Sequence, residues 1–462
     1  MRFATGCSFS ASLMLIAMTG GCSGRNDTPA AALQSNDVAR SGSFESGELD
    51  SGDTERSRGA PGGVPTTRVS AALSDSGNGF ERAEAIRAFE FPRDYGPHPG
   101  FRHEWWYVTG NLDSADGERF GFELTFFRFA LAPLGADDAV AEDGSGRDAA
   151  AKDTSIENAA AEDASVTRSR WRTRQIYMAH FALTDVARGE FHFRERFARD
   201  ALGLAGAQAE PFRVWLEDWE IGEEPPASLL TDPEPAVETE SDGRSEAAAG
   251  RWFLTAADED RSLTLELRPL SGPVLNGEQG LSRKSGKPGS ASYYYSIPRI
   301  AARGTLELDG RTFDVSGFAW LDREWGSGSL GADQEGWDWF ALQLDDGSAL
   351  MFYVLRKRDG SRDPHSAGTW VGSDGLVRTL ASDEVTIEVL DRWQSPRGGR
   401  YPARWRLRVP ALGLDVDVRP VLDDQELIAQ TRYWEGAVDV EGMRGGGRIS
   451  GRGYVELVGY AR

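Results

Sequence analysis

The chain has 462 residues, 40% of them hydrophobic, with 14 Trp, 11 Tyr and 22 Phe. That is apolar matter for two or three packed domains, and it excludes a wholly disordered protein. Its 73 acidic and 51 basic side chains leave a net charge of −22, which argues against nucleic acid and anionic lipid as partners of the folded part.

The acid is unevenly placed: residues 23–80, 136–165 and 221–249 carry −3, −7 and −7, so −17 of the −22 lies in polar stretches and the remainder is near balance. Only four Lys occur (152, 284, 287 and 357). The only cysteines are Cys7 and Cys22, so a fold outside the cytoplasm would stand without a disulfide.

Residues 1–21 read as a secretion signal. Arg2 gives a thin positive start, and the apolar run 9–18 is too short to span a bilayer. Thr19-Gly20-Gly21 then leads into Cys22, which resembles the bacterial lipobox with Thr19 in place of the usual Leu. An ordinary cleaved signal with an incidental Cys is the alternative. The lipobox reading makes Cys22 a lipidated N-terminus, residues 22–83 a flexible tether, and the address the bacterial cell envelope. Ser23 implies the outer membrane, facing the periplasm.

From about residue 84 short segments alternate apolar and polar side chains, the mark of half-buried strands. Residues 120–129, 262–267, 349–355, 404–409 and 414–418 are examples, with hairpin dipeptides such as Asp116-Gly117 and Asp346-Gly347 between segments. Amphipathic helices are scarce. The fold class is therefore all-β, as antiparallel barrels or sandwiches. An aromatic strand, an Asp-Gly turn and a second strand occur twice, beginning at Trp105 and at Trp337, which suggests two related domains. We place them at 84–328 and 329–462, with residues 132–168 and 222–249 as disordered surface insertions in the first.

Four clusters carry candidate chemistry. In His103-Glu104-Trp105-Trp106-Tyr107, a strand puts His103, Trp105 and Tyr107 on one face and Glu104 and Trp106 on the other. His180 sits in an apolar segment, where a buried imidazole needs a hydrogen-bond partner. Tyr293 and Tyr295 share a face of Tyr293-Tyr294-Tyr295-Ser296. In the segment 320–328, Trp320, Asp322 and Glu324 share a face, followed by Trp325 and a Gly-rich turn. Aromatic surroundings disfavour a charged carboxylate and raise its pKa, as a general acid requires. Pairing of Asp322 and Glu324 with Arg323 is the plain alternative.

The candidate catalytic residues are thus Asp322, Glu324, His103 and Glu104. The candidate substrate-binding residues are Trp105, Trp106, Tyr107, His180, Tyr293, Tyr295, Trp320, Trp325, Trp337 and Trp339. The specific expectation is that Trp320, Tyr293, Tyr295, His103 and Trp105 line one cavity around Asp322. No metal or other cofactor is expected: the five His lack HxH or HxxxH spacing, and phosphate-loop and dinucleotide fingerprints are missing. A GxSxG elbow is missing too.

These clusters, in this order, resemble the carotenoid 1,2-hydratase (hydroxyneurosporene synthase)/AttH-like family. The matching pieces are HEWWYVTGNL from His103, IYMAHFALTD from Ile176, SYYYS from Ser292, AWLDREWGS from Ala319, WDWFALQLDDG from Trp337, and the C-terminal YWEGAV and GYVELVGY. The resemblance covers about residues 90–462 and implies two consecutive lipocalin-like β-barrels. In the hydratase branch an acidic residue protonates a terminal double bond of a carotene and water adds to the cation. Asp322 falls at that branch's acid motif, with Trp320 as its aromatic partner. Where the branch carries a His-x-Trp pair this chain has Tyr293 and Tyr295, which places it nearer the AttH-like side. The resemblance implies an apolar isoprenoid or acyl substrate and hydro-lyase or hydrolase chemistry. Its alternative is a non-catalytic lipid-binding lipoprotein serving an export-type ABC permease.

Overall fold

The computed structural model describes residues 78–134, 173–224, 250–328, 330–430 and 432–461. All lie in one compact unit, Pro65–Arg462. The signal, Cys22, most of the tether and nearly all of the two acidic insertions fall outside the described residues.

The first sheet contains β1 (His103–Ser114), β2 (Arg119–Ala130), β3 (Gln175–Asp185), β4 (Glu190–Arg199), β5 (Ala205–Ala209), β6 (Phe212–Leu216), β7 (Trp219–Gly222), β8 (Trp252–Asp258), β9 (Arg261–Pro269), β10 (Val274–Leu275), β11 (Leu281–Arg283), β12 (Ala291–Leu308) and β13 (Arg311–Gly326). The second contains β14 (Gln334–Leu344), β15 (Ala349–Lys357), β16 (Ala367–Val371), β17 (Val377–Ala381), β18 (Thr386–Gln394), β19 (Arg400–Val409), β20 (Leu414–Pro420), β21 (Glu426–Ile428), β22 (Arg432–Arg444) and β23 (Gly447–Val458).

Every named pairing is antiparallel. The first sheet runs β4-β3-β2-β1-β13-β12-β9-β8-β7-β6-β5, with β10 and β11 on β12; the second runs β17-β16-β15-β14-β23-β22-β20-β19-β18, with β21 on β22. Each sheet curls toward a barrel, and β6 packs back against β2, β3 and β4. The Asp-Gly turns join adjacent strands because glycine takes the left-handed conformation at little cost, with φ of +84° at Gly117 and +87° at Gly347.

Alternation along the strands divides the apolar residues into three clusters. Trp106, Val108, Leu124, Phe126, Trp219, Leu265 and Trp325 fill the curl of the first sheet. Phe340, Phe352, Trp405, Trp434 and Val455 fill that of the second. Each such large side chain contributes roughly 1.5–3 kcal/mol by leaving water. The third cluster joins the outer faces of the two sheets through Tyr107, Tyr294, Trp320, Trp339, Met351, Tyr353 and Tyr454. The sheets meet closely there. A Cβ on Gly121 would lie 2.7 Å from the Cβ of Ala437, so any larger residue would push them apart. Polar side chains fasten the contact: Asn111 donates to the Gly453 carbonyl at 3.0 Å, and Gln343 donates to the Pro298 and Ala319 carbonyls at 2.8 and 2.9 Å.

Candidate active site

Strand register decides which predicted residues meet. Strand β13 lies between β1 and β12, pairing Asp322 with Tyr107 on one side and Ser296 on the other; Glu324 is paired with Trp105 and Tyr294. Trp320, Asp322 and Glu324 therefore face the second sheet together with Trp105, Tyr107, Tyr294 and Ser296.

Asp322 is buried and held by three donors. Ser296 Oγ donates to Oδ1 at 2.5 Å, Trp320 Nε1 donates to Oδ1 at 2.7 Å, and the Tyr294 hydroxyl donates to Oδ2. Trp339 on β14 donates its indole N–H to the Tyr294 oxygen at 3.1 Å, tying this carboxyl to the second sheet. Burial pushes the Asp322 carboxyl up to about 6, against the lowering effect of its three donors. It can thus hold or release a proton near neutrality.

Beside it stands an ion pair. Lys284 Nζ lies 2.9 Å from Glu324 Oε1, and Ser292 also donates to that carboxylate. Burial alone would lower the Lys284 pKa, but Glu324, Tyr353 and Asp322 together outweigh it and the net displacement is upward. The ammonium also lies 4.4 Å from the centroid of the Tyr353 ring, and the Tyr353 hydroxyl is 2.9 Å from Ser282 Oγ. Trp105 and Trp337 keep partial accessibility although both sit on strands that face the opposite sheet. Solvent thus reaches the contact between the sheets at these two indole rings.

Three further predicted residues occupy the same face. Tyr107 donates to Glu435 Oε2 at 2.6 Å and packs edge-on against Trp339 with ring centroids 5.1 Å apart. His180, fully buried on β3, contacts the Tyr433 hydroxyl through Nδ1 and Glu195 through Nε2 at 2.9 Å. His103 begins β1 on this face, stacked on Trp105 at 6.0 Å. Burial, with Arg102 and Arg128 adding to it, pushes its imidazole down to about 3, so it is neutral at physiological pH.

Five predicted residues lie elsewhere. Glu104, Trp106, Tyr293, Tyr295 and Trp325 point into the first sheet's own core, not toward Asp322, because each sits one residue out of phase with the Asp322 face. Glu104 is a structural anion there. It accepts from Arg128 and Arg323, and the backbone N–H of His98 donates to it at 3.0 Å. Burial opposes its charge, but the two guanidiniums hold its pKa well below the usual carboxylate range. Arg323 is thus committed to Glu104 and is not a partner of Asp322. The side chains gathered around Asp322 consequently lack Tyr293 and Tyr295 and include Tyr294 and Ser296 instead.

The sequence reading missed Tyr294, Ser296, Lys284 and Tyr353. Tyr294 and Ser296 were visible as the other face of the Tyr-rich strand, and Lys284 as one of only four lysines. Among the described residues, one group of His and acidic side chains has ligand-like spacing: Glu190, His192 and Asp309. Asp309 is already held there by Arg188 at 2.8 Å and Arg261 at 3.3 Å, and this cluster is remote from Asp322.

Residues 82–460 match the model of the AttH-like family. The chain belongs to the AttH-like family. The structure is similar to that of an AttH protein of Nitrosomonas europaea, with a TM-score of 0.63 and 33% identity over 81% of this chain and 98% of that one. It also resembles kievitone hydratase from Nectria haematococca, with a TM-score of 0.55 and 13% identity over 83% of this chain and 98% of that one. The second likeness is one of fold. Among curated proteins none matches the chain significantly.

Proposed function

We propose that this AttH-like protein is an enzyme that hydrates an apolar substrate, of isoprenoid or acyl type, in the space between its two sheets, with Asp322 exchanging the proton. The observation that carries the reading is the Asp322 carboxyl itself: buried, held by Ser296, Trp320 and Tyr294, and displaced by burial to about 6. A group poised this close to the working pH suits proton transfer. The aromatic side chains of Trp320, Trp339 and Tyr107 beside it suit an apolar substrate. Addition of water to a double bond forms one C–H and one C–O bond and consumes only H2O. It therefore needs a proton-transfer group and a space that admits water, with no redox partner. That a hydratase shares the fold supports the same class of reaction.

The rival reading is a lipid carrier serving a permease. It would be favoured by an Asp322 neutralised in an arginine pair, and Arg323 instead binds Glu104. The lipid anchor at Cys22 and an envelope location belong to this proposal as well.

The test is incubation of the purified protein with geranylgeraniol and squalene in H2(18)O, followed by mass spectrometry. We expect the label to appear in a tertiary alcohol with the wild type and to be lost with Asp322→Asn. Equal incorporation by the variant would remove Asp322 from the reaction.

A further inference from the structure

Three carboxyls lie where the two sheets meet without an Arg or Lys partner. Glu123 lies on β2, and Glu435 and Glu456 are direct partners on β22 and β23. Apart from Asp322, other buried acids are matched: Glu104 by Arg128 and Arg323, Asp338 by Arg356, Glu426 by Arg397 and Arg432, and Glu324 by Lys284. Among the described residues no Arg or Lys forms an ion pair with Glu123, Glu435 or Glu456. The one basic side chain acting on Glu123 is His180.

The three groups are linked to the Asp322 site through strand pairing and hydrogen bonds. Glu456 is the cross-strand partner of Trp339, whose indole donates to Tyr294, which donates to Asp322. Glu435 accepts from Tyr107, the cross-strand partner of Asp322. Glu123 accepts from Thr125 at 2.8 Å and faces Glu435 across the sheets. Two further observations mark a ligand position. The Tyr454 hydroxyl, two residues before Glu456 on the same face, is buried with no partner, although the residue is only 2% exposed. Glu456 itself keeps partial accessibility in the middle of its sheet.

We propose that Glu123, Glu435 and Glu456, with Trp339, Tyr107 and Tyr454, form a site for a positive centre carried on an apolar chain. The centre is either the tertiary carbocation of the hydration proposed above, on which that half of the inference rests, or a protonated tertiary amine of the same shape. The two share their chemistry: a bulky, poorly hydrated cation that carboxylates attract and aromatic faces solvate. Burial favours the neutral form of all three carboxyls, and repulsion from neighbouring acids adds to this at Glu435 and Glu456. The Glu456 carboxyl is pushed up to about 8, mainly by burial, and that of Glu435 is raised well above its ordinary value. Asp322, Glu324 and Glu123 add to the effect on Glu456, while Trp337 opposes it. An arriving cation favours ionisation, so its binding must release a proton.

The probe is N,N-dimethyloctylamine, compared with 2-methyl-2-decanol, which has the same skeleton with a neutral carbinol carbon. Calorimetry at pH 7 in phosphate and in Tris reads both affinity and proton release. We expect the amine to bind at least about tenfold more tightly than the alcohol, with a heat that differs between buffers as proton release requires. Glu456→Gln and Glu435→Gln should each remove most of that preference. Equal affinities in the wild type, or a heat independent of buffer, would overturn the proposal without a variant having to fold. Asp322→Asn separates the two sources: a changed amine affinity places the positive centre beside Asp322 as the reaction's cation, and an unchanged one assigns the site to an ammonium ligand. The hydration reading falls on loss of Asp322-dependent label, a separate outcome.

Discussion

Replacing Asp322 by Asn should make the protein more stable at pH 7.5 while abolishing turnover. Burial moves this carboxyl from 3.8 to about 6. The native state therefore binds the proton more tightly than the unfolded chain does. Stability from this group is complete below 3.8 and is lost as the pH rises toward 6, with no further loss above. At about 1.4 kcal/mol per tenfold, the charged form costs about 3 kcal/mol at pH 7.5. Asn keeps an oxygen for Ser296 and Trp320 but presents an amide to Tyr294, whose hydroxyl loses its acceptor at a cost of about 1 kcal/mol. The net expectation is a gain of about 1–2 kcal/mol at pH 7.5 and a loss of about 1 kcal/mol at pH 4, where wild-type Asp322 is largely neutral. Urea titrations followed by tryptophan fluorescence at the two pH values measure both. A variant destabilised by more than about 2 kcal/mol at pH 7.5 would make the carboxylate a structural anchor and refute the reasoning.

Glu104→Gln should destabilise the fold by about 3–5 kcal/mol, because it strands two buried guanidiniums. Its pKa is depressed, so its contribution is present above 4.5 and lost as the pH falls below it; the difference between variant and wild type in urea titrations should shrink on acidification. Retention of wild-type stability would sink the structural role given to Glu104. Cys22→Ala should move the protein from the membrane to the soluble fraction of fractionated cells, and a variant that stays with membranes would exclude the lipid anchor.

The all-β class and the sidedness of single strands were legible in the sequence. Alternation alone separated Trp105 and Tyr107 from Glu104 and Trp106. It could not say which face looks into a barrel and which looks at the other sheet, because both faces of β1 and β13 are buried and carry aromatic and charged residues alike. It also could not supply register. Tyr293 and Tyr295 do share a face, but the pairing of Ser296 with Asp322 puts Tyr294 and Ser296 beside the acid instead. Glu435 and Glu456 lie more than 100 residues beyond Asp322 and come to it only because the outer faces of the two sheets stack. The faint signal was an acid inside an otherwise apolar strand: Glu123 in FGFELTFF, Glu435 in YWEGAV and Glu456 in YVELV.

On β13 the side chains of Leu321, Arg323 and Trp325 hold a barrel together, while Trp320, Asp322 and Glu324, alternating with them, face the second sheet. Neighbouring codons thus answer to different selection pressures. A lineage can rewrite every second residue of β1, β12, β13, β22 and β23 and leave the packing inside each barrel almost untouched, provided the contact between the two sheets is repacked with them. The price is intolerance of single-residue insertions and deletions in these strands, since a shift of one exchanges the scaffold and the chemistry along the whole remaining length. Variation within the family should accordingly appear as substitutions of one parity, with changes of length confined to the turns.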